Sequence, residues 1–98
     1  MATPEKKVKD KVKKVLDLLN CYYFFPATGG FGKSGVPDIV ACIEGRFVGI
    51  ECKANGNKPT PLQEKNLKDI GFNGGIALVI DETNVSELKQ WLEGELAS

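Results

Sequence analysis

The sequence predicts a single α/β domain over residues 1–98 with the element order αβββαβα. Three observations carry this. The chain has 98 residues, room for one core and little more. Apolar residues recur at helical spacing near both ends and again after Thr60, which marks three amphipathic helices. Short β-branched and aromatic runs separate them, the signature of strands. Hydrophobic residues at 42% and charged residues at 27% fit a globular chain rather than a disordered or membrane-embedded one.

Thr3 and Pro4 form an N-cap and first helical residue, followed by Val8, Val12, Val15, Leu16 and Leu19 on one stripe. The lysines of this helix fall mostly off the stripe, but Glu5 projects close to its centre. Tyr22 to Phe25 reads as a short strand ending at Pro26, and Ala27 to Pro37 as a glycine-rich loop. Ile39 to Ile43 and Arg46 to Cys52 follow as two strands of a hairpin, with Glu44-Gly45 as the turn. Thr60 and Pro61 open a second helix with Leu62, Leu67 and Ile70 inward and Gly71 as terminator. Gly75 to Ile80 is a continuous apolar strand, expected at the centre of the sheet. Asn84 and Glu87 cap a last helix whose Val85, Leu88, Trp91 and Leu92 are expected in the core, although the acidic surroundings of this face also suit the border of a dimer interface.

Composition bounds the chemistry. Histidine is absent, so carboxylates, lysine or hydroxyls must do any catalytic work. The three cysteines lack paired spacing, which points to a reducing, cytoplasmic setting without zinc or a disulfide framework. No signal peptide or membrane span is expected. The formal net charge is zero and gives no reason by itself to expect nucleic acid. Its distribution is uneven: residues 1–20 hold six lysines against Glu5, Asp10 and Asp17, whereas residues 81–98 hold Lys89 against five acids. The basic helix suits phosphate contact, and a solvated face explains its lysines equally well.

A tight turn at Glu44-Gly45 pairs Ile43 with Arg46 and, carried down the ladder, sets Asp38 opposite Glu51. Such neighbours have Cβ atoms roughly 4.5–5.5 Å apart and repel unless a positive charge lies between them. Alternation puts Lys53 on the same face and turns Ile50 and Cys52 into the core. Two acids and an amine converge. Oxygen donors without histidine or thiolate favour Mg2+ or Mn2+, which commonly pair carboxylates with phosphate substrates. A cross-strand salt bridge is the structural alternative.

With those residues in place, the segment GVPDIVACIEGRFVGIECKANGNKPTPLQ resembles the nuclease motif of the PD-(D/E)xK superfamily, and within it the VRR-NUC family. The matching residues are Pro37-Asp38, Glu51-Cys52-Lys53 and Gln63. The resemblance implies a restriction-endonuclease-like fold, a central mixed sheet flanked by helices. It implies a cation held by Asp38, Glu51 and the backbone carbonyl of Cys52, with Lys53 acting on the attacking water. Glu5 matches a family glutamate near the metal, though a first-turn acid also serves the helix dipole. Gln63 matches a family glutamine, though Thr60-x-x-Gln63 is also a capping box.

The implied activity is Mg2+- or Mn2+-dependent hydrolysis of DNA. Selectivity for branched DNA such as a Holliday junction, a homodimer and a viral or mobile-element origin follow by the same analogy. The alternative is a nucleic-acid-binding or assembly module that keeps the fold without catalysis. The run ATGGFGKS from Ala27 to Ser34 fits a relaxed phosphate-binding P-loop. It leads towards a strand through Gly35 and Pro37, whereas a P-loop must open into a helix. No nucleotide cofactor is therefore expected.

Overall fold

The computed structural model describes residues 3–27 and 32–97. Helix α1 (Pro4–Leu19) is followed by strands β1 (Tyr22–Phe24), β2 (Ile39–Ile43) and β3 (Arg46–Cys52). Helix α2 (Pro61–Phe72), strand β4 (Ile76–Ile80), a 3₁₀ turn (Val85–Glu87) and helix α3 (Leu88–Leu96) complete the αβββαβα order. The sheet is mixed and runs β1-β2-β3-β4, antiparallel except for the parallel β3–β4 pair. Helix α2 supplies the crossover that a parallel pair requires.

The β2–β3 hairpin closes as the sequence predicts. Glu44 and Gly45 both take positive φ, 51° and 82°, the pattern of a type I′ turn whose twist matches the flanking strands. The register runs from Ile43↔Arg46 to Ile39↔Ile50. One sheet face therefore presents Ile39, Ala41, Val48, Ile50 and Cys52, all buried against Val8, Val12 and Leu16 of α1 and Leu88 and Leu92 of α3. Burying each large aliphatic side chain contributes roughly 1.5–3 kcal/mol before chain entropy is subtracted.

Helix α2 covers the other face over β3 and β4. Its Ile70 seats on two glycines, since a Cβ on Gly49 or Gly75 would lie 2.7 Å from Ile70 side-chain atoms. The helix starts in a full capping box: Gln63 N–H donates to Thr60 Oγ1 at 3.2 Å, and Thr60 N–H to Gln63 Oε1 at 2.9 Å. Thr3 caps α1 likewise, accepting from Lys6 N–H.

Several expectations fail. Strand β4 lies at the edge of the sheet; its apolar run reflects Ile76 and Ile80 buried in the core and α2 packed on the strand, not central pairing, and Val79 stays 37% exposed. Helix α2 continues past Gly71 to Phe72 and ends at Asn73, where Gly74 takes φ 90°. Leu62 is 48% exposed, and the one fully buried side chain of α2 is Asn66. Trp91 is 39% exposed, because Leu88 and Leu92 fill the line between α3 and the sheet. Asn84 does not cap a helix through its side chain; its Oδ1 accepts from Asp81 N–H and its Nδ2 donates to the Val79 carbonyl.

Part of the glycine-rich loop and of the P-loop-like run, residues 28–31, lies outside the described residues. Ser34 and Gly35 form a turn that leads to β2 rather than a helix. Asn66 anchors this turn by donating to the Ser34 carbonyl at 3.2 Å. Among the described residues, no helix is long and apolar enough to cross a membrane.

Candidate metal centre

The site forms where β2 begins, β3 ends and the first turn of α1 passes over them. Pro37 is buried and delivers Asp38 just before the ladder starts. Asp38 Oδ2 accepts the Cys52 backbone N–H at 2.8 Å. The carboxylate thus takes over as acceptor beyond the last ladder pair, which locks its position against β3. The register Ile39↔Ile50 brings Asp38 level with Glu51, as the tight turn predicts.

Glu51 sits inside the sheet, between β2 and its parallel partner Val79 of β4, and is only 1% exposed. Burial first, and the Asp38 carboxylate second, push its pKa up to about 7, while the Lys53 ammonium works in the opposite direction. Its Oε2 pairs with Lys53 Nζ at 3.5 Å. Its Oε1 has no hydrogen-bond partner, a costly state for a buried acceptor. Lys53 follows Glu51 by two residues on the same face, and its own N–H donates to the Ile80 carbonyl at 2.9 Å. The site is thereby tied to β4.

Glu5 completes the group. Each of Glu5, Asp38 and Glu51 offers a carboxylate oxygen within 4.8 Å of the other two. At that spacing two ionised carboxylates repel by roughly 3 kcal/mol even at an effective dielectric constant near 20. A proton on Glu51 relieves this in the ion-free protein; a divalent cation relieves it more fully. The donors are all oxygen, one of them buried and unpartnered, and this fits a hard cation such as Mg2+ or Mn2+.

The other predicted residues fall differently. The Cys52 thiol points into the core, fully buried, as alternation predicts, and burial raises its pKa to about 12; the backbone N–H of this residue is what meets the site, at Asp38. Gln63 is held in the capping box of α2 and forms no hydrogen bond to the three acids. Lys9, in the sequence one of six first-helix lysines suited to phosphate contact or to a solvated face, instead pairs with the site: its Nζ lies 3.5 Å from Asp38 Oδ1. The available signal was its spacing, one helical turn after Glu5.

A groove of about 500 Å³ lies elsewhere, between α2 and the outer face of the sheet. Phe24, Val40, Phe47 and Ile70 line it together with Pro37, the neighbour of Asp38, and none of the three acids lines it.

A solved structure described as a VRR_NUC domain superposes with a TM-score of 0.76 at 22% identity, over 91% of this chain and 97% of that one. The chain has that fold. It is also 38% identical over 58 residues to "Putative nuclease p44" of Acyrthosiphon pisum secondary endosymbiont phage 1. That match spans 58% of this chain and 62% of the phage protein. No family model matches the sequence.

Proposed function

We propose that the chain is a nuclease that hydrolyses DNA phosphodiester bonds with Mg2+ or Mn2+. The observation that carries this reading is Glu51: a carboxylate 1% exposed, with one oxygen unpartnered, grouped with Asp38 and Glu5 and flanked by Lys53. The phage relative and the VRR_NUC fold support it.

In this reading Asp38, Glu51 and the Cys52 carbonyl hold the cation, with Glu5 as a further ligand from α1. A cation held there would supply Lewis-acid polarisation of the phosphate and a more acidic water. Lys53 is placed to orient that water and hold or release its proton, since its side chain is only 14% exposed and its ammonium is paired with Glu51. Asp38 is kept in position by the Cys52 N–H. Gln63 has its Oε1 engaged by Thr60, and its amide N–H groups remain for a phosphate oxygen or water.

The described residues of one chain hold one such centre, so cutting two strands together calls for a homodimer, and a branched substrate such as a four-way junction suits paired centres. The aromatic side chains Tyr22, Phe24 and Phe47 leave an exposed apolar surface on the outer sheet face for that contact. A phage relative fits a mobile-element origin.

The second reading, a non-catalytic nucleic-acid-binding or assembly module, draws on the two lysines that already offset the acids. Labelled four-way junction and matched linear duplex, incubated with Mg2+ or Mn2+, separate the two. Metal-dependent cleavage that falls by roughly 100-fold or more in Lys53→Ala, the scale of lost acid–base assistance, supports the nuclease. Preference for the junction adds structure selectivity. Binding of either DNA without cleavage favours the module.

A further inference from the structure

The geometry points to Lys9 as a displaceable counter-ion: it neutralises Asp38 when no cation is bound, competes with the cation for that carboxylate, and on release turns to the substrate phosphate. This rests on the metal-centre reading above. The two oxygens of Asp38 are engaged differently. Oδ2 accepts the Cys52 N–H and is part of the strand scaffold. Among the described residues Oδ1 has no backbone donor, and it is covered by the Lys9 ammonium at 3.5 Å. A cation drawing on Asp38 through Oδ1 therefore meets Lys9 first.

Lys9 differs from its neighbours on α1. Lys6 and Lys13 pair with Asp10 and Asp17 on the same helix, four residues on, with both partners about half exposed or more. Lys9 instead reaches off the helix to the start of β2, with 33% of its side chain exposed and 23% of Asp38's. It lies one turn after Glu5, so α1 brings an acid and an amine to the site side by side. Glu51 has its own lysine in Lys53, while Glu5 has no ion pair among the described residues. Each of the two strand acids is thus covered by one ammonium.

A divalent cation at the three carboxylates repels an ammonium at ion-pair distance from one of them. Lys9 is on a flexible, partly exposed stem and can withdraw, whereas Lys53 is enclosed. The withdrawn ammonium remains within reach of the same opening, where a phosphodiester offers a new partner of the same sign as Asp38.

The test compares wild type, Lys9→Met and Lys9→Arg. Mn2+ binding is measured by calorimetry. DNA affinity is measured by fluorescence anisotropy over a range of salt, with Mn2+ present and Lys53→Ala in every chain to prevent hydrolysis. Lys9→Met is expected to bind Mn2+ roughly threefold to tenfold more tightly, because a unit charge beside the ion is gone. A purely structural role for Lys9 gives no such tightening. The same variant should bind duplex DNA more weakly, with its log–log salt slope shallower by about 0.9, one phosphate contact. Lys9→Arg, which keeps the charge, should resemble wild type in both. Unchanged or weaker Mn2+ binding in a folded Lys9→Met chain overturns the proposal, as does an unchanged salt slope. A wild type that binds no Mn2+ overturns the metal-centre reading itself.

Discussion

Glu51 carries the largest electrostatic strain at the site, and its ionisation should be visible in stability. Its folded pKa of about 7 lies above the ordinary 4.5, chiefly through burial and then through Asp38. Between these values the folded chain keeps a proton that the unfolded chain has released. Stability from this group is therefore full below about 4.5, falls as pH rises, and is lost above about 7. Without metal, Glu51→Gln should be more stable than wild type by on the order of 1–2 kcal/mol at pH 8.5 and equal to it near pH 4. Urea denaturation in chelator at the two pH values measures this, and parallel pH profiles would show that Glu51 is not strained. Asp38, Glu51 and Lys53 were legible because alternation and a two-residue turn fix which side chains share a face. Lys9 was not, because helix spacing places it on a charged flank but cannot say that its partner lies on β2.

The elements deliver these residues through contacts that have little slack. Gly49, in the middle of β3, admits both Ile70 of α2 and Pro37, and a Cβ there would stand 2.7 Å from Ile70 Cδ1 and 2.9 Å from Pro37 Cγ. The Ile70 methyl can turn aside, but the Pro37 ring cannot, and Pro37 is joined to Asp38. Gly49→Ala should thus cost about 1–3 kcal/mol, the range for an overpacked core. It should also weaken Mn2+ binding, although Gly49 touches no carboxylate. Chemical denaturation and metal titration of the same variant check both, and a loss of stability with unchanged metal affinity would detach Pro37 from the site. The hairpin, the α1 cap and the α2 capping box were all readable from short local signals. The position of β4 was not. A continuous apolar strand signals burial rather than a place in the sheet, and an edge strand packed under α2 with Ile76 and Ile80 in the core carries the same run. Trp91 and Leu62 were misplaced for a related reason: periodicity names the apolar side of a helix, but the width of the buried stripe depends on what lies opposite.

Across the whole molecule, charge and metal act in different places. At about 100° per residue, Lys7, Lys11 and Lys14 share one side of α1, roughly opposite Glu5 and Lys9. None of the three makes an ion pair among the described residues, and they stand apart from the carboxylate group. In the proposed reading these three lysines therefore do not serve a phosphate at the acids, and Lys9 and Lys53 are the cations placed to do so. The acids themselves belong to three separate elements, α1, the approach to β2 and β3, so one cation held by all three joins the first turn of the chain to the middle of the sheet. A ligand that binds the folded state alone adds about 2.7 kcal/mol at a hundred times its dissociation constant. For a domain of this size that raises Tm by roughly 10–20 °C. Wild type should show this rise with Mn2+, growing with the logarithm of concentration, and Asp38→Asn and Glu51→Gln should lose most of it. A cluster of salt bridges without a metal role predicts the reverse pattern: no response of wild type beyond that to a monovalent salt at equal ionic strength. Thermal melts of the three chains across a Mn2+ series decide between the two without requiring a substrate.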